Sequence, residues 1–456
     1  MFNKILIANR GEIAVTIIRA CRDMGIRTVA VCSEADRKAL HTQLADECIC
    51  IGPATARDSY LNAQAILTAC TITGAEAIHP GFGFLSENAA FARMCQKCGI
   101  TFIGPQPQTI EQMGDKATAR KTAVAAQVPV IPGSPDVIDN LADGLKAADE
   151  IGYPVMIKAS AGGGGRGMRI AMDRDELPAA MSTARAEARA CFGDDRVYLE
   201  RFVHNPRHIE IQLMADRYGQ IVHLGDRDCS IQRRNQKILE EALSPASDEN
   251  LRNRMGEAAV RLAASVGYEG AGTIEFLVDE NKNFYFMEMN TRIQVEHPIT
   301  EAVTGVNLIQ EQIRVAAGEP LSMSQHEIRF TGHSIECRIN AEDPRHGFRP
   351  SPGTITALHL PGGPGVRVDS AVYQGYTIPS DYDSLIAKLI VYAPDRMSAI
   401  ARMRRALMEF LITGIETNID FHLAILREPD FIAGNYHIGY LGLKTEQLLA
   451  QCAPIS

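Results

Sequence analysis

The sequence predicts an α/β and α+β protein built on an N-terminal doubly wound parallel sheet. Three observations lead there. Short apolar runs alternate with helix-period stretches through the first third of the chain. A proline-rich connection then leads to two apolar strands that bracket a run of glycines. Farther on, two alternating strands carry carboxylates, and the C-terminal region opens on strands and later turns helical.

Taken in order, Lys4–Ala8 reads as a buried strand. Glu12–Met24 follows with apolar residues at Ile13, Ile17, Ala20 and Met24, a helical spacing that Gly25 stops. Thr28–Val31, Ala77–His79 and Thr101–Ile103 read as further strands. Gly11 stands alone where a dinucleotide fingerprint wants three glycines, so with Glu34 it makes too weak a pattern for NAD. Val128–Asp139 holds Pro129, Pro132, Pro135 and Gly133, a turn-rich domain boundary. Tyr153–Lys158 and Met168–Ala171 are strands, and Glu176–Ala190 is a helix. A second boundary falls near Arg201–Pro206, and Met397–Leu411 carries a late helical pattern. The resulting division is 1–128, 129–204, 205–330 and 331–456.

Composition narrows the function. With 456 residues, 46% apolar and 22% charged, the chain has ordinary globular usage, which excludes disorder, collagen and coiled coil. Lys plus Arg is 46 against 55 for Asp plus Glu, a net charge of −9. That acidity argues against nucleic-acid or anionic-membrane binding. No apolar stretch approaches the ~18 residues of a membrane span. The start, Met1–Ile7, does not read as a signal peptide, and a cytoplasmic location is expected. The eleven cysteines form no disulfide framework, and Cys95-x-x-Cys98 has no matching ligand pair for zinc.

Three groups of residues carry chemistry. Five of the six positions 162–167 are glycine, with Arg166 between the last two. Such a loop leaves backbone N–H groups free to wrap phosphate oxygens. Without a following Gly-Lys-Ser/Thr it is not a Walker A loop. Lys158 precedes it on a strand, so a flap over a nucleotide is expected in preference to a linker. The second group lies on Gly272–Val278 and Phe284–Asn290, which Asp279–Asn283 would close into a hairpin. There Glu275, Glu288 and Asn290 offer oxygen ligands of the kind Mg²⁺ takes; the competing reading is a hairpin with one polar face. The third is Thr291–Pro298, where Arg292 suits an oxyanion and Glu296 a general base. Glu336, Arg338 and Asn340 share one face of a later strand, and His297 beside Pro298 reads as structural.

The sequence resembles biotin carboxylase over nearly its whole length. The resemblance rests on Ile7–Ala14, His79–Asn88, Met113–Lys116, the glycine loop, Asn205–Glu210, Arg227–Ser230, Glu288–Arg292 and Gln294–His297. It implies an N-terminal doubly wound domain, an ATP-grasp lid and a C-terminal ATP-grasp domain. It further implies ATP contacts at Lys116, Lys158, Gly163, Gly164, Gly165, Gly167, Glu200, Val203, His208, Gln232 and Asn235. Mg²⁺ or Mn²⁺ would be held by Glu275, Glu288 and Asn290. Lys237, Arg292, Gln294 and Val295 would hold bicarbonate, with Glu296 as base, Arg338 on the ureido oxygen and Phe82 beside biotin. The sequence has no Met-Lys-Met attachment motif, so biotin is expected on a separate carboxyl carrier protein, with separate carboxyltransferase subunits; the resemblance also implies a homodimer. Four positions depart from the family pattern: Phe82 (usually Tyr), Asn235 (often His), Arg201 (usually Lys) and Leu243 (usually Pro). Another ATP-grasp ligase would share the loop and metal face without needing Arg292, Glu296 and Arg338 together. A silent nucleotide-binding partner would lack a catalytic group, and none is lost.

Overall fold

The computed structural model describes every residue except 135, 160–166 and 453–456. Two compact units emerge: Met1–Val128, Arg207–Leu277 and Met287–Ser456 form one, and Pro129–Pro206 with Val278–Phe286 the other.

The larger unit begins with a parallel sheet ordered β3-β2-β1-β4-β5, where β1 is Lys4–Ile7, β2 Arg27–Ser33, β3 Glu47–Gly52, β4 Ala77–His79 and β5 Thr101–Phe102. The central strands are buried on both faces, which is why they read as unbroken apolar runs. Between them runs a helix, Gly11–Asp23, whose Ile13, Ile17, Ile18 and Cys21 pack into the core. The strand order reverses between β1 and β4, the place where such sheets bind ligands. There Asn9 ties the two following loops together, its Nδ2 donating to the Pro80 and Phe82 carbonyls at 2.6 and 2.7 Å. Gly81, at φ +63°, leaves room for that amide: a Cβ would sit 2.9 Å from Asn9 Nδ2.

A second, eight-stranded sheet belongs to the same unit except for Val278 and Phe284–Phe286. Its order is β13-β12-β9-β10-β11-β14 and then the strands Leu385–Ala393 and Val366–Ser370. Here β9 is Arg207–Ala215, β10 Ile221–Arg233, β11 Gln236–Ala242, β12 Gly270–Val278, β13 Phe284–Asn290 and β14 His333–Asn340. The pairing of β11 with β14 carries this sheet without a break across residue 330. β10 and β11 are joined by two residues, Arg234 and Asn235, both at positive φ. That is the geometry of a type I′ hairpin turn, which favours asparagine and so accounts for Asn235 locally. The Ala242–Leu243 peptide just beyond β11 is cis.

The smaller unit has an antiparallel sheet ordered β7-β6-β8: Met168–Ala171, Val155–Ala159 and Val197–Arg201. Helices Leu141–Ile151 and Leu177–Phe192 cover it, with Ala148, Leu177, Met181 and Ala184 packed on Val155, Ile157 and Leu199. Gly167 opens β7 at φ +71°, where a Cβ would meet that of Ala159 at 2.7 Å. Gly163, Gly164 and Gly165 lie outside the described residues. Among the described residues no helix is long and apolar enough to cross a membrane.

Glu241 fastens the C-terminal part of the larger unit. Fully buried on β11, it accepts from Arg396 Nε (2.7 Å) and Nη2 (2.9 Å) and from the Tyr436 hydroxyl (2.6 Å), and it pairs with His333 Nε2 at 2.8 Å. Burial alone would raise its pKa, but His333 and Arg396 outweigh burial and lower it to about 2. A carboxyl depressed in the folded state stabilises above its unfolded pKa and loses that contribution as pH falls toward the folded one. We therefore expect the stability gap between wild type and Glu241→Gln, on the order of 3 kcal/mol at neutral pH, to narrow between pH 5 and pH 2.5 in urea titrations. A gap constant over that range would contradict this assignment.

Candidate active site

Three strands of the large sheet and one loop converge on a largely buried ammonium. Lys237, on β11, places Nζ 2.6 Å from Glu210 on β9, 2.9 Å from Glu275 on β12 and 2.6 Å from Glu296, which follows β13. Burial works against the charge on Lys237, but Cys229 and the three carboxylates override it and raise its pKa well above the usual value. Glu275 and Glu296 are held well below the ordinary carboxylate range despite burial: Lys237 and His208 lower the first, Lys237, Arg338 and Arg227 the second.

Glu296 is fully buried. One oxygen meets Lys237 and the other meets Arg338 Nη2 at 2.9 Å. Arg338 projects from β14 and also binds Glu240 at 2.6 Å. Burial raises Glu240 to about 7, Arg338 opposing and Glu296 adding to the rise. The residues before Glu296 are fixed from outside the sheet. Glu87 accepts from the Thr291 backbone N–H at 3.1 Å and from Arg292 Nε at 2.8 Å. Arg292 then donates to the amide oxygens of Gln294 (2.8 Å) and Asn290 (2.9 Å). Asn290 and Gln294 turn their own amide groups to Glu275, at 3.0 and 3.3 Å.

Behind the carboxylates lies Arg227, fully buried on β10 directly opposite Glu210. It donates to Glu210 and Gln212 at 2.6 Å each, to Thr300 at 2.9 Å and to Thr273 at 3.1 Å. His208 sits two residues before Glu210 on the same face, its Nε2 3.0 Å from Glu275. Gln232 donates to His208 Nδ1 at 2.7 Å and to the Cys229 carbonyl at 2.7 Å, which leaves Nε2 as the N–H that faces Glu275.

Comparison with known proteins decides the family. Residues 1–110 match the biotin carboxylase N-terminal domain, 115–324 the ATP-binding domain of the carbamoyl-phosphate synthase L chain, and 336–442 the biotin carboxylase C-terminal domain. The chain is 58% identical over 440 residues to biotin carboxylase of Nostoc sp., covering 96% of this chain and 98% of that one. It is 56% identical over 442 residues to biotin carboxylase 1 of Bacillus subtilis, covering 97% and 98%. Among solved structures it superposes on the biotin carboxylase domain dimer of Hydrogenobacter thermophilus 2-oxoglutarate carboxylase, which holds MgADP, ADP and bicarbonate. The TM-score is 0.90 at 51% identity, covering 98% and 99%.

The chain belongs to the biotin carboxylase family.

Within this biotin carboxylase framework, the structure gathers nine of the residues singled out in the sequence. Lys237, Glu275, Asn290, Arg292, Gln294, Glu296 and Arg338 form one network, which His208 and Gln232 join through Glu275. Glu288 is half-buried and faces Glu275, Lys116, His208 and Lys237; burial first, then Glu275, raises its pKa. Lys116 is exposed at the start of the helix Lys116–Ala125. In the smaller unit Lys158 pairs with Glu200, and Val203 follows β8 half-buried. Asn235 is at the exposed hairpin tip, and the Phe82 ring packs on the N-terminal core. Asn340 shares the strand of Arg338 but turns its amide to Glu342 at 3.3 Å, after a register shift between Ile339 and Asn340. His297 is buried with Nδ1 2.8 Å from the Gln294 carbonyl and its pKa well below the usual value, from burial and then Lys388, as a structural histidine would be.

Sequence reasoning gives no role to Glu210, Arg227, Glu240 or Glu87. Glu210, Arg227 and Glu87 lie in motifs that carry the family resemblance, and the i, i+2 spacing of His208 and Glu210 is a further signal. Replacing Arg227 by Met would take from Glu210 its fully buried partner and leave it Lys237, 2.6 Å away. We expect a loss of about 3–5 kcal/mol in urea unfolding; a loss below about 1 kcal/mol would show that Glu210 does not depend on it.

Proposed function

We propose that this chain carboxylates biotin presented on a separate carrier protein, using ATP and bicarbonate, as the biotin carboxylase component of a multisubunit carboxylase. The observation that carries this reading is Glu296, fully buried between Lys237 and Arg338 beside Arg292 and Gln294. This is a base held where an oxyanion would share its cations.

In this reading bicarbonate lies against Lys237, Arg292, Gln294 and Val295. Glu296 begins as a weak base, because Lys237 and Arg338 hold its pKa down. A bicarbonate oxygen that accepts from Lys237 competes for that ammonium. Glu296 then regains basicity at the moment it is needed, and takes the bicarbonate proton. The anion attacks the γ-phosphoryl of ATP, giving ADP and carboxyphosphate. Carboxyphosphate breaks to CO₂ and phosphate, phosphate accepts the N1′ proton of biotin, and the nitrogen adds to CO₂. Arg338 stabilises charge on the ureido oxygen.

The residues at the proposed metal site fit a hard cation. Glu275 and Glu288 have carboxylate oxygens and Asn290 an amide oxygen, and the Glu288 carboxyl, raised first by burial and then by Glu275 beside it, would gain from a nearby cation. They would hold Mg²⁺ or Mn²⁺, which neutralises phosphate charge when bound. ATP contacts are proposed for Lys116, His208, Gln232 and Asn235, and for Lys158, Gly163, Gly164, Gly165, Gly167, Glu200 and Val203. Phe82 is proposed beside biotin. A homodimer, a cytoplasmic location, and separate carrier and carboxyltransferase subunits complete the proposal.

Two substitutions test it. Glu296→Gln keeps size and removes the base, so bicarbonate-dependent ADP release, stimulated by free biotin in the wild type, should fall roughly 10²–10⁴-fold. A fall below tenfold would remove Glu296 from that role. Glu288→Lys brings a cation to the metal face and should abolish MgATP turnover while far-UV circular dichroism stays native. Turnover at the wild-type rate by that folded variant would overturn the metal assignment.

A further inference from the structure

Outside the network around Lys237 lies a second buried lysine, to which neither the proposed chemistry nor the family resemblance gives a role. Lys388, on the strand Leu385–Ala393, has no exposed surface. A buried ammonium needs both charge compensation and hydrogen-bond acceptors. Charge comes from Glu12 at 3.1 Å and Asp369 at 3.9 Å, with Glu336 also facing it. The hydrogen bond goes elsewhere: Nζ donates to the backbone carbonyl of Val295 at 2.8 Å.

The position of that carbonyl gives the contact its meaning. Val295 immediately precedes Glu296, and the peptide between them is trans. In a trans peptide the carbonyl and the next N–H point in opposite directions. Lys388 therefore fixes the Val295 carbonyl on one side and aims the Glu296 N–H to the other. Lys388 stands directly opposite Arg338 on β14, whose guanidinium grips the Glu296 carboxylate. Two cations on neighbouring strands thus hold consecutive parts of one loop, Lys388 its backbone and Arg338 its side chain.

We propose that Lys388 is a positioning residue for the Val295–Glu296 peptide, and through it for bicarbonate. This rests on the reading of Glu296 as the bicarbonate base. Small displacements of a positioned group cost large factors in rate, so the effect belongs on bicarbonate and not on ATP. A role confined to charge balance in the core would lower stability and leave substrate discrimination alone.

The test is steady-state ADP release by Lys388→Met, and by Glu12→Gln/Lys388→Met, which removes the two paired charges together and keeps a foldable protein if the single variant is unstable. We expect KM for bicarbonate to rise at least tenfold and KM for ATP to change by less than about threefold, in protein whose melting curve stays cooperative. An unchanged bicarbonate KM in such folded protein, or equal rises for bicarbonate and ATP, would overturn the positioning role. If the wild type itself shows no bicarbonate-dependent ADP release, the reading of the site fails and not this inference alone.

Discussion

One ammonium holds the site together. Glu210, Glu275 and Glu296 come from separate places in the chain and would repel one another if Lys237 were not between them. The gross attraction of one ion pair at 4 Å is about 4 kcal/mol at an effective dielectric of ~20. Removing each ion from water costs several kcal/mol. These magnitudes are similar, so no single pair would justify burying the group, and three carboxylates on one cation leave negative charge that further donors must offset. Arg227, His208 and Arg338 extend the same arrangement by one layer, so that each carboxylate has a second partner.

This arrangement suits chemistry in which negative charge arrives and moves. Every carboxylate is held by a donor that an incoming anion can also use. In the proposed mechanism, bicarbonate entering the network would compete with Glu296 for Lys237 while Arg338 still holds the carboxylate. The large sheet makes this possible by placing β9, β11, β12 and β14 close enough for their polar faces to meet, while Glu87 and Lys388 hold the Thr291–Glu296 segment from outside.

Elements with a strong local pattern are legible in the sequence. Ala77–His79, Met168–Ala171 and Phe284–Asn290 have the predicted bounds, and the first helix differs by one residue at each end. β3, a sheet edge, escapes because its short apolar run Cys48–Ile51 is half cysteine, and both cysteines face solvent. The loop from Asn290 to Glu296 is readable because its functional side chains are near neighbours in sequence. Glu87, Glu240 and Lys388 are not, because their partners lie 205, 98 and 93 positions away and only the fold brings them together. The family resemblance makes Asn235 a ligand contact, and the structure supplies a separate local reason for it, the left-handed turn between β10 and β11. The continuous sheet across residue 330 is likewise hidden, since strand pairing between β11 and β14 spans some 90 residues of sequence.

The central claim is that Lys237 allows the three carboxylates to remain charged together. It is tested most directly by the unfolding free energy of wild type and Lys237→Met measured across pH 5 to 8. Without the ammonium, mutual repulsion raises the carboxyl pKa values in the folded variant. Protonation then relieves the repulsion as pH falls, so the deficit relative to wild type should be largest at pH 8 and shrink steadily toward pH 5. A deficit that stays the same at every pH, or grows as pH falls, would contradict the account.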